Sequence, residues 1–292
     1  MRLALLLTLM TLSSAAPAID LQGHRGARGH VPENTLPGFE RALAIGVTTL
    51  ELDVGVTRDG VVVIHHDRGL NPDVARGPDG QWVALPGPLI KDVTFEQLQR
   101  YDVGRIRPGS EYAGRFPHQK PIDGTRVPRL SALFERAGKT VRFNIETKIS
   151  ADAPNDTIAP EPFARALIAE IRKAGVEKRS TVQSFDWRTL KIVEREAPEI
   201  ATAYLTGSRN SDPATVHGAG GRIWSPDFQT LDGTKLNEAH RLGLKVIPWT
   251  VNDAGDINRM LNLKVDGIIS DYPDRVRDAM KARGLALPAP QL

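Results

Sequence analysis

Short apolar runs rich in β-branched residues alternate with segments of helical periodicity along almost the whole chain, and this alternation constrains the fold more than any other feature. Strands are predicted at residues 19–24, 48–53, 141–147, 181–185, 201–205, 222–225, 245–250 and 267–270. Helices are predicted after them, at residues 35–45, 130–137, 162–174, 187–196, 213–217, 234–242, 254–261 and 273–283. Alternating strands and helices form parallel sheets, and eight such units in one domain favour a closed (β/α)8 barrel over an open sheet.

The ends of the predicted helices carry residues that are typical of helix boundaries. Asn34 is a candidate N-cap for the helix at 35–45, and Gly46 is a candidate for the residue that ends it. Glycines also follow four of the later helices. Helix boundaries of this kind support the division of the chain into strand–helix units.

One strand-like run, residues 61–66, does not fit the alternation because only seven residues separate it from Asp53. This link is short for a parallel crossover. The pair Asp59-Gly60 favours a two-residue type I′ turn, so we predict an antiparallel hairpin after the second strand. With that turn Asp53 lies opposite His66, and Glu51 shares their face of the hairpin.

A second interruption is the segment 68–126, which is rich in Gly, Pro and Asp and has no clear period. We predict that it is an insertion over one end of the barrel, where substrate loops often lie. The first 18 residues have one positive charge, an apolar run of about ten residues and a small-residue exit, which are the marks of a cleaved signal peptide. Residues 19–292 would then form a single barrel domain in a periplasmic or secreted protein.

Composition excludes several classes of protein. With 40% hydrophobic and 25% charged residues, the chain is typical of a globular protein. Its formal charge of +3 is small and dispersed, which argues against a nucleic-acid partner. The N-terminal apolar run is too short for a bilayer span, so stable membrane insertion is not expected. Because the chain has no Cys, a metal site would use oxygen or imidazole ligands. The oligomeric state is not indicated.

Three acidic residues lie on the predicted strands near their carboxyl ends: Glu51, Asp53 and Glu146. Each alone could be a solvated surface charge, but the spacing of Glu51 and Asp53 puts two acids on one face of an apolar strand. The carboxyl ends of barrel strands form one face, so the three carboxylates are expected to meet there. They would repel one another unless a cation neutralised them, and oxygen ligands suit Mg²⁺ or Ca²⁺.

Four further residues near these strand ends indicate phosphate chemistry. Arg25 and Lys148 add positive charge beside the expected metal, an arrangement that a phosphate between them would stabilise. The alternative is that each of them only pairs with a barrel carboxylate. His24 and His66 are suited to proton exchange near neutral pH. A phosphodiester has an attacking and a leaving oxygen on opposite sides of phosphorus, which matches two histidines.

These residues fall in an ordered set of motifs that extends over nearly the whole chain. The motifs are His24-Arg25-Gly26, Pro32-Glu33-Asn34-Thr35, Glu51-Leu52-Asp53-Val54, His66-Asp67, Asn144-Ile145-Glu146-Thr147-Lys148, Gln183-Ser184-Phe185, Trp249-Thr250-Val251-Asn252 and Asp266-Gly267-Ile268-Ile269-Ser270-Asp271. Together they closely resemble the glycerophosphodiester phosphodiesterase family. The resemblance implies a TIM barrel of the phospholipase-C-like phosphodiesterase type, with the family's insertion at 68–126. It also implies one divalent metal ion and hydrolysis of small glycerophosphodiesters to sn-glycerol 3-phosphate and an alcohol.

The resemblance further implies a role for each candidate residue. The general acid/base pair would be His24 and His66; the metal ligands Glu51, Asp53 and Glu146; the phosphate contacts Arg25 and Lys148. A glycerol hydroxyl would attack first and give a cyclic phosphate that water then opens. Trp249 and Phe185, at strand ends, are candidates for packing against the glycerol or headgroup, the alternative being a place in the barrel core.

Two other functions fit the same residues. A phospholipase-D-like lipid phosphodiesterase could use the same barrel, but it would need access to a bilayer, and no strong amphipathic basic helix is apparent. A non-catalytic protein that binds glycerophosphodiesters would keep the cations and metal ligands but would not need two histidines. An assay for product formation distinguishes an enzyme from such a binding protein.

Overall fold

The computed structural model describes residues 19–207 and 211–291, and the predicted signal peptide at 1–18 lies outside them. Its strands are β1 (Asp20–Gly23), β2 (Thr49–Val56), β3 (Val62–Ile64), β4 (Arg142–Thr147), β5 (Ser180–Ser184), β6 (Ala201–Thr206), β7 (Ile223–Pro226), β8 (Lys245–Val246) and β9 (Gly267–Ser270). Its helices are α1 (Leu36–Ile45), α2 (Phe95–Leu98), α3 (Glu111–Arg115), α4 (Leu130–Arg136), α5 (Pro160–Ala174), α6 (Arg188–Glu196), α7 (Pro213–Gly218), α8 (Gly233–Arg241), α9 (Ala254–Leu263) and α10 (Pro273–Ala282).

Eight of the described strands are parallel and form a nearly closed barrel. They pair in the order β8-β7-β6-β5-β4-β2-β1-β9, and β3 pairs antiparallel with β2. β8 and β9 are the two ends of this order, and no regular strand pairing joins them among the described residues. Individual backbone hydrogen bonds connect the two ends, among them Asp266 N to Val246 O at 2.9 Å and Ile269 N to Pro248 O at 3.1 Å. The predicted (β/α)8 barrel, with a hairpin after its second strand, is confirmed.

The apolar core lies between the strands and the surrounding helices. Leu50 and Leu52 of β2 are fully buried in the same cluster as Phe163 and Leu167 of α5. Alternate residues of the strands point into the barrel, and many of these are polar. Burial of each large apolar side chain contributes about 1.5–3 kcal/mol. Most of the apolar burial is therefore in the outer shell, and many of the side chains in the barrel interior are polar.

Helix α1 does not begin as predicted. Its N-cap is Thr35, whose hydroxyl accepts a hydrogen bond from Gly38 N at 3.1 Å, so the prediction of Asn34 as the cap is wrong. Asn34 has a left-handed backbone with φ of 54° and its side chain contacts Asp53 instead. The predicted end of the helix is correct, because Gly46 adopts φ of 89° and its N–H caps the last turn.

The hairpin between β2 and β3 is present, but its predicted register is wrong by one residue. Val54 faces Ile64, and His65 N donates to Asp53 O at 3.0 Å, so Asp53 lies opposite His65 and not His66. A type I′ turn needs positive φ at both central residues, and here only Gly60 has it. The turn contains one residue more than predicted, because Thr57 and Val61 pair at its base.

Residues 68–126 contain α2, α3 and a 3₁₀ turn at Ile90–Asp92. They pack around a small apolar cluster of their own, which includes Leu70, Ile90 and Leu98. Among the described residues, none of the helices has the length and apolar character needed to cross a bilayer.

Asp102 stabilises this segment through several contacts, which gives a prediction for stability. Its carboxylate accepts from Gly104 N at 2.8 Å and Gly124 N at 2.9 Å, and it also pairs with Arg76. We expect Asp102→Ala to lower the free energy of unfolding by about 1–3 kcal/mol, because charge-assisted hydrogen bonds are lost. Urea denaturation followed by circular dichroism measures this change.

A control and a pH series test the same prediction. Asp92→Ala, which removes only an exposed contact with Lys91, should change the free energy by less than about 0.5 kcal/mol. Burial opposes the ionisation of Asp102, but the two N–H groups and Arg76 outweigh it and lower the pKa. The contribution of Asp102 to the free energy of unfolding is therefore present above the pKa of an unfolded-state Asp, about 3.9. It is lost as the pH falls through the pKa of Asp102 in the folded protein. Equal effects of the two substitutions at neutral pH would contradict the role of Asp102.

Candidate active site

Three buried carboxylates meet at the carboxyl end of the barrel. Glu51 and Asp53 lie on β2, and the parallel register pairs Asp53 with Glu146 of β4. One carboxylate oxygen from each of the three lies within 4.8 Å of the others. The structure therefore brings together the three acids that were predicted as metal ligands.

The electrostatics of this acid cluster fit a divalent cation. Burial raises the pKa of Glu51 well above its ordinary value, and the charges of Asp53 and Glu146 raise it further. Burial opposes ionisation of Asp53 as well, but cationic neighbours led by Arg25 lower its pKa well below the ordinary value. Asp53 Oδ1 is buried and has no hydrogen-bond partner among the described residues. Lys148 Nζ lies 3.6 Å from this oxygen, too far for a hydrogen bond. A carboxylate oxygen that accepts no hydrogen bond, in a self-repelling cluster, belongs to a ligand set suited to Ca²⁺ or Mg²⁺.

Hydrogen-bond donors hold the acids in place. Glu51 Oε2 accepts from Arg25 N at 2.9 Å, and Glu51 Oε1 accepts from Gln183 Nε2 at 2.8 Å. Asp53 Oδ2 accepts from Asn34 Nδ2 at 2.9 Å. Each carboxylate therefore has a fixed orientation, and each oxygen that accepts one donor keeps a further lone pair.

The backbone after β1 is constrained where it approaches the acids. Arg25 has φ of 51° and Gly26 has φ of 87°. A Cβ on Gly26 would lie 2.6 Å from the carbonyl carbon of Gly38, so only glycine fits. A left-handed non-glycine residue costs about 1–3 kcal/mol. At Arg25 this conformation aims the N–H at Glu51, so the strained residue belongs to the site.

His24 follows β1 and lies beside the acid cluster. Its Nδ1 is 2.7 Å from Asp271 Oδ1, and its Nε2 is 3.8 Å from Glu51 Oε2. Arg28 Nη2, a donor, lies 3.1 Å from the same nitrogen, but the shorter contact is with the carboxylate, which only accepts. We therefore assign the hydrogen to Nδ1, with Nε2 facing the cleft. Burial, followed by the charge of Arg28, lowers the pKa of His24 to about 4.

His66 lies on the other side of the acids. Its Nδ1 is 2.7 Å from Asp67 Oδ1, and its Nε2 is 3.1 Å from Lys148 Nζ. His66 lines the cleft although the predicted hairpin register was wrong. β3 ends at Ile64, so His66 lies beyond the paired part of the hairpin and its position does not depend on that register. Both histidines thus have a carboxylate at Nδ1 and present Nε2 to the same cleft.

The two predicted phosphate contacts also lie in the cleft, where they pair with acids. Arg25 NH1 is 2.8 Å from Glu33 Oε1, and its Nε is 3.2 Å from Asp53 Oδ2. Lys148 Nζ is 2.7 Å from Glu146 Oε1. Four of the side chains that line this cleft are cationic: Arg25, Arg28, Arg115 and Lys148.

Sequence reasoning assigned no role to three residues that support the site. Asp271 is the last residue of the family motif at 266–271, but its partner His24 is 247 residues away in sequence. Arg28 binds Asp271 through Nε at 2.7 Å and Nη2 at 3.0 Å, and its Nη1 is 3.3 Å from the Tyr112 hydroxyl oxygen. Tyr112 lies on α3 of the insertion and donates to Glu33, the partner of Arg25. Only the motif position of Asp271 gave a signal; Tyr112 lies in a segment without periodicity.

The cleft has a volume of about 260 Å³ and one aromatic wall. Phe185 and Trp249 form this wall, with ring centroids 5.2 Å apart and planes nearly perpendicular. Phe185 is 46% exposed, so it is available for contact and is not part of the barrel core. Beyond Phe185 and Leu205 the cleft adjoins a wider depression of about 870 Å³.

The sequence and the fold both match known proteins. Residues 24–275 match the glycerophosphoryl diester phosphodiesterase family. A glycerophosphodiester phosphodiesterase from Caldanaerobacter subterraneus subsp. tengcongensis is 30% identical over 268 residues, which are 89% of this chain and 97% of that protein. One from Bacillus altitudinis is 30% identical over 268 residues, covering 88% and 98% of the two chains.

Solved structures share the barrel. A protein of Silicibacter pomeroyi, provisionally identified as a glycerophosphoryl diester phosphodiesterase, superposes with a TM-score of 0.88 at 36% identity, covering 93% of this chain and 96% of that one. An Oleispira antarctica phosphodiesterase in complex with the product sn-glycerol-3-phosphate gives a TM-score of 0.72 at 22% identity, over 90% and 97% of the chains. At that lower identity the likeness is one of fold.

The bond between His24 and Asp271 predicts which ring nitrogen carries the hydrogen. In the wild-type protein at neutral pH, we expect His24 to hold it on Nδ1. Asp271→Asn presents an amide NH2 in place of an acceptor and should shift the hydrogen towards Nε2. Two-bond ¹H–¹⁵N correlation spectra of the imidazoles distinguish the tautomers. Asp274→Asn, which alters the partner of His30, is the control. An unchanged His24 tautomer in Asp271→Asn would count against this assignment.

Proposed function

The chain belongs to the glycerophosphoryl diester phosphodiesterase family, and on that premise we propose that it hydrolyses glycerophosphodiesters to sn-glycerol 3-phosphate and an alcohol. The observation that carries the proposal is the meeting of three carboxylates, two carboxylate-bound imidazoles and two cations around one cleft. Each of these groups has a task in phosphodiester hydrolysis.

A single divalent ion, Ca²⁺ or Mg²⁺, would be held by Glu51, Asp53 and Glu146. When bound, such an ion neutralises charge on a phosphate oxygen. Asp53 Oδ1, which accepts no hydrogen bond among the described residues, and the mutual repulsion of the acids support this ligand set. Arg25 and Lys148 border the same acids and would bind the other phosphate oxygens, the guanidinium through paired N–H groups and the ammonium as a point charge.

Each half of the reaction needs two proton transfers, one for each imidazole. In the first half, the glycerol hydroxyl next to the phosphate forms a bond to phosphorus while the bond from phosphorus to the headgroup oxygen breaks. One imidazole accepts the hydroxyl proton at Nε2, and the other donates a proton to the leaving oxygen. In the second half water opens the cyclic phosphate, and the imidazoles exchange roles. Asp271 and Asp67 orient the two rings for these transfers.

The glycerol and headgroup parts of the substrate have separate surroundings. The aromatic wall of Phe185 and Trp249 offers an apolar surface beside the catalytic groups. We propose that the headgroup extends past Phe185, where the cleft adjoins the wider depression. We also propose that the mature chain acts outside the cytoplasm, on the strength of the signal-peptide pattern at residues 1–18.

The histidine pair gives the first test of the proposed function. We expect His24→Ala and His66→Ala each to lower kcat for glycerophosphocholine by about 10²–10⁴-fold, because general acid–base catalysis contributes that much. His118→Ala, an exposed histidine outside the cleft, should leave turnover unchanged. A coupled assay for sn-glycerol 3-phosphate measures the rates, with circular dichroism to check folding.

The same assay separates the proposed function from its alternatives. Glycerophosphoethanolamine, -glycerol and -inositol should also be cleaved, and intact phosphatidylcholine should not. Preferred cleavage of the intact lipid would instead support a lipid phosphodiesterase. Wild-type turnover in both histidine variants would overturn the two-histidine mechanism.

Metal removal gives the second test. Exhaustive EDTA treatment should abolish activity, and Ca²⁺ or Mg²⁺ should restore it. The melting temperature should rise when metal is added back, since an ion that binds only the folded state at 100 times its Kd adds about 2.7 kcal/mol. An enzyme that stays fully active and equally stable after chelation would refute the proposed metal site.

A further inference from the structure

A row of amide side chains runs through the barrel interior below the acid cluster. Gln22 of β1, Asn144 of β4 and Gln183 of β5 are each at least 98% buried. Asn144 Nδ2 donates to Gln22 Oε1 at 2.9 Å and to Gln183 Oε1 at 2.9 Å. The central amide therefore uses both of its hydrogens, one for each neighbouring carbonyl.

Each end of the row meets a carboxylate. Gln183 Nε2 donates to Glu51 Oε1 at 2.8 Å, at the end of the barrel that holds the candidate metal site. Gln22 Nε2 donates to Asp20 Oδ2 at 3.0 Å, at the opposite end. Asp20 is fixed there by Thr49 Oγ1 at 2.7 Å and by Arg142 at 2.9 Å.

The two carboxylates determine how every amide is oriented. Carboxylates accept hydrogen bonds, so both glutamines turn their NH2 groups outward and their carbonyls towards Asn144. If Asn144 turned over, its own oxygen would face two carbonyl oxygens. Asn144 Oδ1 is consequently left buried without a partner among the described residues, although an unmade buried hydrogen bond is costly. The row thus has one favourable orientation.

We propose that Asn144 is a positioning residue for the metal ligand Glu51 and acts through Gln183. By holding the carbonyl of Gln183, it keeps the NH2 of that residue on Glu51 Oε1. This donor favours the ionised carboxylate and fixes the side chain, which leaves the remaining lone pairs of Glu51 for a cation. The inference rests on the proposed role of Glu51 as a ligand, and it extends the metal site to a residue that does not touch the metal.

Asn144→Asp tests the proposal because two simple expectations oppose each other. A new negative charge near a cation site should by itself tighten cation binding. The orientation of the row predicts the reverse, since an acceptor at position 144 draws the NH2 of Gln183 away and turns its carbonyl towards Glu51. We expect the Kd for Ca²⁺ to rise by about 10–100-fold, as is typical when a group that orients a metal ligand is lost.

The measurement is calorimetric titration of the full chain with Ca²⁺ and, separately, Mg²⁺, without substrate. Gln22→Glu is the matched control, because it makes the same change on the other side of Asn144 and still accepts from it. The control should retain the wild-type Kd even where its melting temperature falls. An Asn144→Asp protein that binds Ca²⁺ as tightly as wild type would overturn the proposal.

A double-mutant cycle tests whether Asn144 acts through Gln183, and it uses apolar variants that add no charge. Asn144→Leu should weaken Ca²⁺ binding in the wild-type background and have no further effect in Gln183→Leu. If Asn144→Leu weakened Ca²⁺ binding equally in both backgrounds, Asn144 would not act through Gln183. A wild-type chain that binds neither ion would refute the proposed metal site itself, so the two failures are distinguishable.

Discussion

The mutual repulsion of three buried carboxylates is the constraint on which the rest of this structure depends. Like charges a few ångströms apart in a buried site raise one another's pKa and oppose folding unless other groups offset them. The chain offsets them with cations at Arg25 and Lys148 and with directed donors from Asn34, Gln183 and the Arg25 backbone. Glu51 nevertheless keeps a raised pKa, and one oxygen of Asp53 accepts no hydrogen bond among the described residues. The compensation by protein groups is incomplete, and a divalent cation would complete it.

The two histidines surround these acids in a related way. Each imidazole has a carboxylate on Nδ1 and directs Nε2 towards the cleft, but the supports differ. Asp271 is buried and is itself held by Arg28 and Asn252, whereas Asp67 is partly exposed and held by Asn71. The insertion contributes to both sides, because it carries Asn71 and because α3 places Tyr112 on the network of Asp271. A segment outside the barrel therefore helps to fix the loop that carries His24.

Much of the fold and of the site could be predicted from the sequence, because both follow from local patterns. Strand and helix periodicity gave the barrel, and the acids at strand ends followed from the geometry of parallel sheets. The hairpin register could not be predicted in this way. Its turn is held by contacts from the insertion, with Arg58 N on Val93 O and Asp59 on Phe95 N, and local turn preferences do not include those. Asn34 is a similar case, since Asn and Thr are both good caps and only the distant Asp53 decides between them.

The separation of an apolar shell from a polar lumen has a consequence for protein engineering. Attempts to raise thermostability by filling barrel interiors with aliphatic side chains would, in this protein, replace the groups that hold the acidic cluster in order. Among the described residues, the apolar cluster between strands and helices contains none of these groups, so volume-conserving substitutions there remove no contact of the acidic cluster. Mutant libraries for a more thermostable variant should therefore be confined to that layer, and the residues of the barrel lumen should be left unchanged.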